Sequence, residues 1–469
     1  MEPDPNSTER LVGELRTVIG KARPGDRLPS SRDLIRRHGV SPVTVSRALA
    51  MLVAEGAIAT RPGSGSFVAE ARRPARVTDL SWQTVALGTR TIDASAMSPL
   101  FDRADGEGVI SLATGYLHPS LMPTQALNAA LTRAARLPDA WERPPAAGLR
   151  SLRTWFARIT GAAVEPEDVI VTAGGQGAIN AVFRAVAGAG DPLLVESPTY
   201  PGALAVARAA GIRPVPVPCD DDGIIPEHLA DAFARSRARA LYIQPTYNNP
   251  TGTVLSLSRR AAVLEIAAAA GAFVIEDDYA RWLSHGEVPL RPLLADDDTG
   301  RVVYITSLTK VASPSLRVGA VIARGPVAVR LGAMRMVDDL FVARPTQEAT
   351  IELVNHPAWK RHLRGLAAAL HDRRTVLAGA VTEHLSAATT TRPAGGMHLW
   401  IRLPPALDDL ALAEAARRRG VIVGAGRGFF AGEPPDGRLR LTFTAAPSDA
   451  DLVEGVRRLA QAASRLGTA

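Results

Sequence analysis

The stretch Arg301–Gly319, RVVYITSLTKVASPSLRVG, decides how this chain is read. VVYIT is a short run of β-branched and aromatic residues, the pattern of a strand buried on both faces. Lys310 follows its end, and Arg317 lies in the Pro-containing turn beyond. Arg and Lys together number 54, yet only Lys21, Lys310 and Lys360 are Lys. A chain that writes its positive charge as Arg but keeps Lys at a strand end invites a chemical reason. Lys can lose its proton and attack a carbonyl, whereas Arg stays protonated. A surface Lys on a loop is the competing reading, and the other strand ends decide between the two.

From about Val109 onward, buried-type strands alternate with Ala-rich helical stretches: VIVT, PLLVE, ALYIQ, FVIEDD, RVVYIT and GAVIA. That order predicts an α/β domain with a mostly parallel sheet and helices on both faces. Ligands in such sheets sit at the carboxyl ends of the strands. After VIVT, Ala173-Gly174-Gly175-Gln176-Gly177 opens a helix, where glycines let backbone N–H groups approach an anion. After PLLVE, SPTYPG presents Tyr200 for stacking on a flat ring. ALYIQ leads into PTYNNPTG, whose Asn249 offers an amide to a ring oxygen. FVIEDDYA places Asp277 and Tyr279 at a strand end, where a carboxylate keeps a pyridine nitrogen protonated. Ser307 precedes Lys310, and Arg317 can clamp a phosphate in bidentate fashion. Each feature alone is ordinary turn or packing chemistry. On successive strand ends they compose a site for pyridoxal phosphate.

Their order is that of the fold type I pyridoxal-phosphate enzymes, and roughly residues 109–465 resemble the class I/II aminotransferases. The resemblance implies that Gly175, Gln176, Ser307 and Arg317 hold the phosphate and that Tyr200 covers the ring. It also implies that Asn249 and Tyr279 face the ring hydroxyl, that Asp277 faces the nitrogen, and that Lys310 forms the internal aldimine. Tyr279 stands two residues after Asp277 where many aminotransferases have three, so the acid is Asp277 or Asp278. GGMHLWI and RLRLTFTAA resemble the family's closing segments, and Arg440 matches the Arg that grips a substrate α-carboxylate. GYLHPSLMP, 115–123, matches the segment near the substrate entrance.

Working back to the N-terminus, composition bounds the rest. With 469 residues, 46% of them apolar and 22% charged, the chain suits a globular protein of two or three domains. It lacks any run of about 18 uninterrupted apolar residues, and its polar N-terminus is no signal peptide, so the expectation is a cytoplasmic protein without a membrane partner. The single cysteine, Cys219, excludes an internal disulfide framework and any multi-cysteine metal site, and no metal is expected. Net charge is +7, of which residues 1–76 carry +5, with 13 Arg and Lys against 8 Asp and Glu. A basic N-terminal sixth points to a polyanion.

In that segment, Leu11, Leu15, Val18 and Ile19 fall on one helical face. A second helix starts at Ser30, with Asp33 as capping-box partner, and stops at Gly39. Ser41 reads as the N-cap of a third, with Pro42 first and Val45, Ala48, Leu49 and Leu52 facing inward. This is a helix-turn-helix presenting Val43, Thr44, Ser46 and Arg47, followed by the wing AIATRPGSGSFV with Arg61. Residues 8–68 closely resemble the winged helix-turn-helix of the GntR family, which implies that Arg32, Ser41, Thr44 and Arg61 contact DNA. Many members carry Arg where this chain has Pro42, so one charged contact is absent.

The expected organisation is a DNA-binding domain over 1–68, a linker over 69–108 with a short docking segment within Val85–Met97, and a pyridoxal-phosphate domain over 109–469. End to end, this resembles the MocR/GabR group of regulators. The resemblance implies a homodimer on double-stranded promoter DNA, controlled by pyridoxal phosphate or a small amino compound through aldimine exchange at Lys310. EDDYARWL and YNNPTG lie closer to working aminotransferases than to many members of that group. An active aminotransferase carrying a DNA-binding head is therefore the alternative to a regulator with at most vestigial activity.

Overall fold

Short-range signals build the N-terminal helices. Ser30 Oγ accepts the Asp33 N–H at 3.2 Å and donates to Asp33 Oδ2 at 2.6 Å, starting the helix Ser31–His38. Gly39 ends it at φ 62°, a left-handed conformation that favours glycine. Ser41 Oγ accepts the Thr44 N–H at 3.1 Å and Pro42 takes the first position of Pro42–Ala54. With Pro5–Lys21 and the antiparallel pair Ile58–Arg61 and Gly65–Val68, these make a winged three-helix unit. Its core gathers Leu11, Val12, Leu15, Leu34, Val45, Ala48, Leu52 and Ile58, with Ile19 and Leu49 packed against it. Val18 departs from expectation. It is 45% exposed, because the buried stripe runs through Val12 and leaves Val18 at its edge, about 80° from the centre at roughly 100° per residue.

The computed structural model describes residues 5–61, 63–69, 79–88, 92, 95, 97–98, 106, 108–286, 289–390 and 392–467. The chain divides into two compact units, 1–90 and 91–469. Within the expected linker, residues 71–76 lie outside the described residues, as does most of 102–107. Of the expected docking segment, the described part includes the end of a six-residue helix, Ser81–Ala86, whose Trp82 and Val85 are exposed.

The large unit is organised on an eight-stranded sheet. Its order is Val169–Thr172, Gly319–Ile322, Val302–Ser307, Phe273–Asp278, Ala240–Ile243, Pro192–Ser197, Arg213–Asp220 and Gly223–Ile224. The five strands from Val302–Ser307 to Arg213–Asp220 run parallel. Gly319–Ile322 is antiparallel to both neighbours, so the turn bearing Lys310 joins two adjacent antiparallel strands. Burial on both faces explains the apolar runs: Val302 and Tyr304 enter one core cluster, Val303 and Ile305 the other. Gly319 has no room for a side chain, since a Cβ there would lie 2.7 Å from the Thr306 carbonyl and 3.2 Å from Gly174.

Arg213–Asp220 escaped the sequence reading because RPVPVPCD carries Pro at 214, 216 and 218. Over 213–218 the strand pairs, among the described residues, with Pro192–Ser197, while Cys219 and Asp220 also meet Gly223–Ile224; the Arg213 N–H donates to the Asp191 carbonyl at 2.9 Å. Alternate residues therefore turn the prolines, which lack an N–H, to the opposite edge, where no ladder needs them. A second sheet, Thr389–Thr390, His398–Arg402, Arg438–Thr442 and Gly424–Ala425, places Arg440 opposite Trp400 and, on its other side, opposite Gly424.

Candidate functional site

A cavity opens at the carboxyl ends of the parallel strands. The nine residues expected around a cofactor line it, Gly175, Gln176, Tyr200, Asn249, Asp277, Tyr279, Ser307, Lys310 and Arg317, and so does Arg440, expected at a substrate carboxylate. At one end the helix Gly174–Val186 begins without a side-chain cap, leaving its first N–H groups available to an anion. Arg317 Nη2 donates to the Ala173 carbonyl at 2.5 Å beside that helix start. A Cβ on Gly174 would come within 3.0 Å of this guanidinium, so the approach needs glycine. Ser307 Oγ donates to Thr309 Oγ1 at 2.9 Å, and both line the same end.

Asp277 accepts two hydrogen bonds, from Tyr242 Oη at 2.6 Å and Gln244 Nε2 at 2.8 Å, both on Oδ2. Burial pushes its carboxyl up to about 6 against those two bonds. Asp278 lies on the other face of the strand, bonded by Tyr304 Oη at 2.9 Å and paired with Arg281. Between the two carboxylates left open by spacing, the cavity holds Asp277.

Lys310 Nζ stands 3.9 Å from the centroid of the Tyr116 ring. Desolvation lowers its ammonium to about 7, with Arg440 and Arg317 acting in the same direction and Asp277 opposing. Tyr200 Oη donates to Gln176 Oε1 at 3.0 Å. Tyr279 Oη donates to the Tyr247 carbonyl at 2.8 Å, so its proton is spent on the backbone.

Arg440 is 1% exposed. Its Nη1 donates to Asn249 Oδ1 at 3.0 Å and lies 3.4 Å from His398 Nε2, while Nη2 donates to the Ala113 carbonyl. Nε finds no partner among the described residues. Burial lowers the guanidinium to about 10 and moves His398 well below its ordinary value. An arginine so enclosed beside a neutral histidine has charge to offer a carboxylate.

Sequence reasoning assigned no role to Thr309, Gln244, Tyr242 or His398. Thr309 carries a signal, a hydroxyl beside Lys310, and His398 stands within GGMHLWI. Gln244 and Tyr242 carry none, because their part depends on which strand lies next to Phe273–Asp278.

On the first unit, Arg32, Ser41, Arg47 and Arg61 are exposed. Arg61 lies over the Phe67 ring, 5.0 Å from its centroid, which steadies it on the wing. Thr44 is 2% exposed, with its hydroxyl 2.8 Å from Ser41 Oγ. It thus sits beneath the face that the other four present.

A model of the family "aminotransferase class I and II" matches residues 107–459, and one of "bacterial regulatory proteins, gntR family" matches residues 8–68. The chain belongs to the class I and II aminotransferase family, with a GntR-family head. The 2-aminoadipate transaminase of Thermus thermophilus is 31% identical over 389 residues, 82% of this chain and 97% of that protein. The helix-turn-helix-type transcriptional regulator YjiR of Escherichia coli is 30% identical over 467 residues, 95% of this chain and 96% of its own length. The α-aminoadipate aminotransferase of Thermus thermophilus, solved with N-(5'-phosphopyridoxyl)-L-leucine, superposes with a TM-score of 0.74 at 29% identity, covering 82% of this chain and 99% of that one. The fusion is thus of the kind found among relatives named as transcriptional regulators, and pyridoxal phosphate is the cofactor its large domain takes.

The residues present fit that group. The uncapped helix start with Arg317, Ser307 and Thr309 suits a phosphate. Asp277 Oδ1, which accepts no hydrogen bond among the described residues, suits a protonated ring nitrogen. No helix among the described residues is long and apolar enough to cross a membrane.

Proposed function

We propose that the protein is a transcription regulator whose DNA binding responds to pyridoxal phosphate, to a small amino compound, or to both, through covalent exchange at Lys310. The observation that carries this reading is an intact cofactor cavity in a chain that also carries an exposed basic DNA-binding face. When bound, the cofactor supplies an aldehyde that either a lysine amine or an incoming amine can occupy, and a ring that withdraws electrons.

The chain's own residues prepare that exchange. Lys310, with its ammonium near 7, is substantially neutral at physiological pH and therefore nucleophilic. Asp277 would hold the proton of a ring nitrogen, and Tyr200 would cover the ring. Arg440, fixed by Asn249 and Ala113, receives a carboxylate. Arg32, Ser41, Arg47 and Arg61 face DNA, with Thr44 acting through Ser41. The working unit on this reading is a cytoplasmic homodimer, and the switch requires the ligand to bind one DNA-holding state more tightly than the other.

The second reading, a working aminotransferase, is favoured by the completeness of the same constellation and by the 31% identical transaminase. One experiment separates the two: absorbance of the holoprotein with a panel of amino acids and amines, alongside operator binding. A band shift with one compound, a change in DNA affinity and no sustained keto-acid release support the regulator. Steady turnover with a 2-oxo acid at about 1 per second or faster supports the enzyme. Because deprotonated Lys310 is the nucleophile, the rate of cofactor capture by the cofactor-free chain is expected to climb as pH rises towards about 7 and to level above it. A flat profile between pH 5.5 and 8.5, read by stopped-flow absorbance, would remove that role.

A further inference from the structure

Behind the cofactor cavity lies a buried carboxylate that does not line it. Glu196, near the end of Pro192–Ser197, is 2% exposed and accepts two hydrogen bonds on one oxygen. The Gln244 N–H reaches Oε2 at 2.7 Å, and Asn248 Nδ2 reaches it at 2.9 Å. Glu196, Gln244 and Asn248 also line a second, smaller cavity with Cys219 and Thr253.

The two donors lead to opposite ends of the site. Gln244 Nε2 bonds Asp277 Oδ2 at 2.8 Å, and its Oε1 accepts the Asn249 N–H at 3.1 Å. Asn248 closes the adjoining turn: its Oδ1 accepts from Thr251 Oγ1 at 3.0 Å, its N–H donates to the Thr253 carbonyl at 2.9 Å, and its carbonyl accepts the Gly252 N–H at 2.7 Å. That turn carries Asn249, whose Oδ1 holds Arg440 at 3.0 Å. Residues 244–253 therefore join the acid at one end of the cavity to the arginine at the other, and Glu196 grips the segment from behind. Burying a carboxylate is costly, and desolvation pushes this one up to about 7 although both hydrogen bonds pull it down. An acid kept there against that cost needs a task.

We propose that Glu196 is a positioning residue, which fixes the 244–253 segment so that Asp277 and Arg440 are held at the separation one ligand spans. The proposal rests on the roles given to Asp277 and Arg440 above. Two variants of the full chain test it. Glu196→Gln preserves shape but removes the charge from the doubly accepting group, and Asn248→Ala removes one arm while leaving Glu196 in place. Without added cofactor, amide exchange across 244–253 is expected to speed up about tenfold in each, the factor of one charge-assisted hydrogen bond. Exchange in Gly174–Val186 should stay as in the wild type. With pyridoxal phosphate added, the pH midpoint of the absorption band in Glu196→Gln is expected to move.

Wild-type exchange across 244–253 in the variants overturns the proposal. So does acceleration spread evenly over the large unit, which marks lost stability alone. Should Glu196→Gln not fold, Asn248→Ala decides by the same readout. Alanine against ethylamine on the wild-type chain checks the Arg440 role separately: equal affinities would count against that role, while exchange still decides Glu196.

Discussion

In the DNA-binding head, Arg32, Arg47 and Arg61 stand in solvent on a described core of nine buried apolar side chains. In the large unit, Asp277 and Arg440 are 3% and 1% exposed and meet Lys310 across a cavity built from residues 115 to 440. The head presents charge to a partner that brings its own counter-charge, and water screens it until then. The large unit instead removes charge from water, which lowers Lys310 to about 7 and raises Asp277 to about 6. Exposed arginines therefore contribute additively and depend on salt, whereas the buried groups act as one coupled set.

That contrast can be broken at four places. Lys310→Ala should abolish the absorption band of the lysine-bound cofactor, and with it any response of DNA binding to an added amino compound. An unchanged response would show that the signal bypasses covalent exchange. Arg440→Leu should weaken binding of an amino acid about 100-fold, as expected for a desolvated charge pair, while the decarboxylated amine is spared. Isothermal titration with both compounds reads the difference, and equal losses would dissolve the assignment.

Arg61→Ala should cost the head about fivefold in DNA affinity and reduce the salt slope by about one. A loss that varies with operator sequence would instead mark a base contact. The smallest effect is expected from Ser41→Ala, which removes the N-cap bond to the Thr44 N–H and should destabilise the helix Pro42–Ala54 by about 1 kcal/mol. Amide exchange of that helix in the full chain measures it.

The head was legible almost residue by residue because its signals are local. Ser30, Gly39, Ser41 and Pro42 each act within a few residues. Two side chains depart from expectation: Val18 sits at the edge of a stripe whose centre depends on what packs against it, and Thr44, expected on the DNA face, is 2% exposed beneath Ser41. In the large unit, the strand ends were legible for a related reason. A buried strand followed by Gly, Pro or a lone Lys marks where the chain leaves the sheet, and ligands bind there. The strand Arg213–Asp220 was not, since its prolines argue against a strand until its free edge is known.

Sequence alone determined the helices of the head, the strands whose ends carry the site and the chemical types gathered at the sheet's carboxyl edge, because periodicity, caps and turn residues are written in neighbouring positions. Only the tertiary structure shows that Asp277, and not Asp278, lines the cavity. Successive side chains on a strand point to opposite faces, and which face meets the cavity depends on strands far away in the chain. The same holds for Tyr242 and Gln244 on Asp277, His398 beside Arg440, and Glu196 beneath the 244–253 segment. Each of these partnerships is made by packing across the sheet or between segments, and no local pattern encodes it.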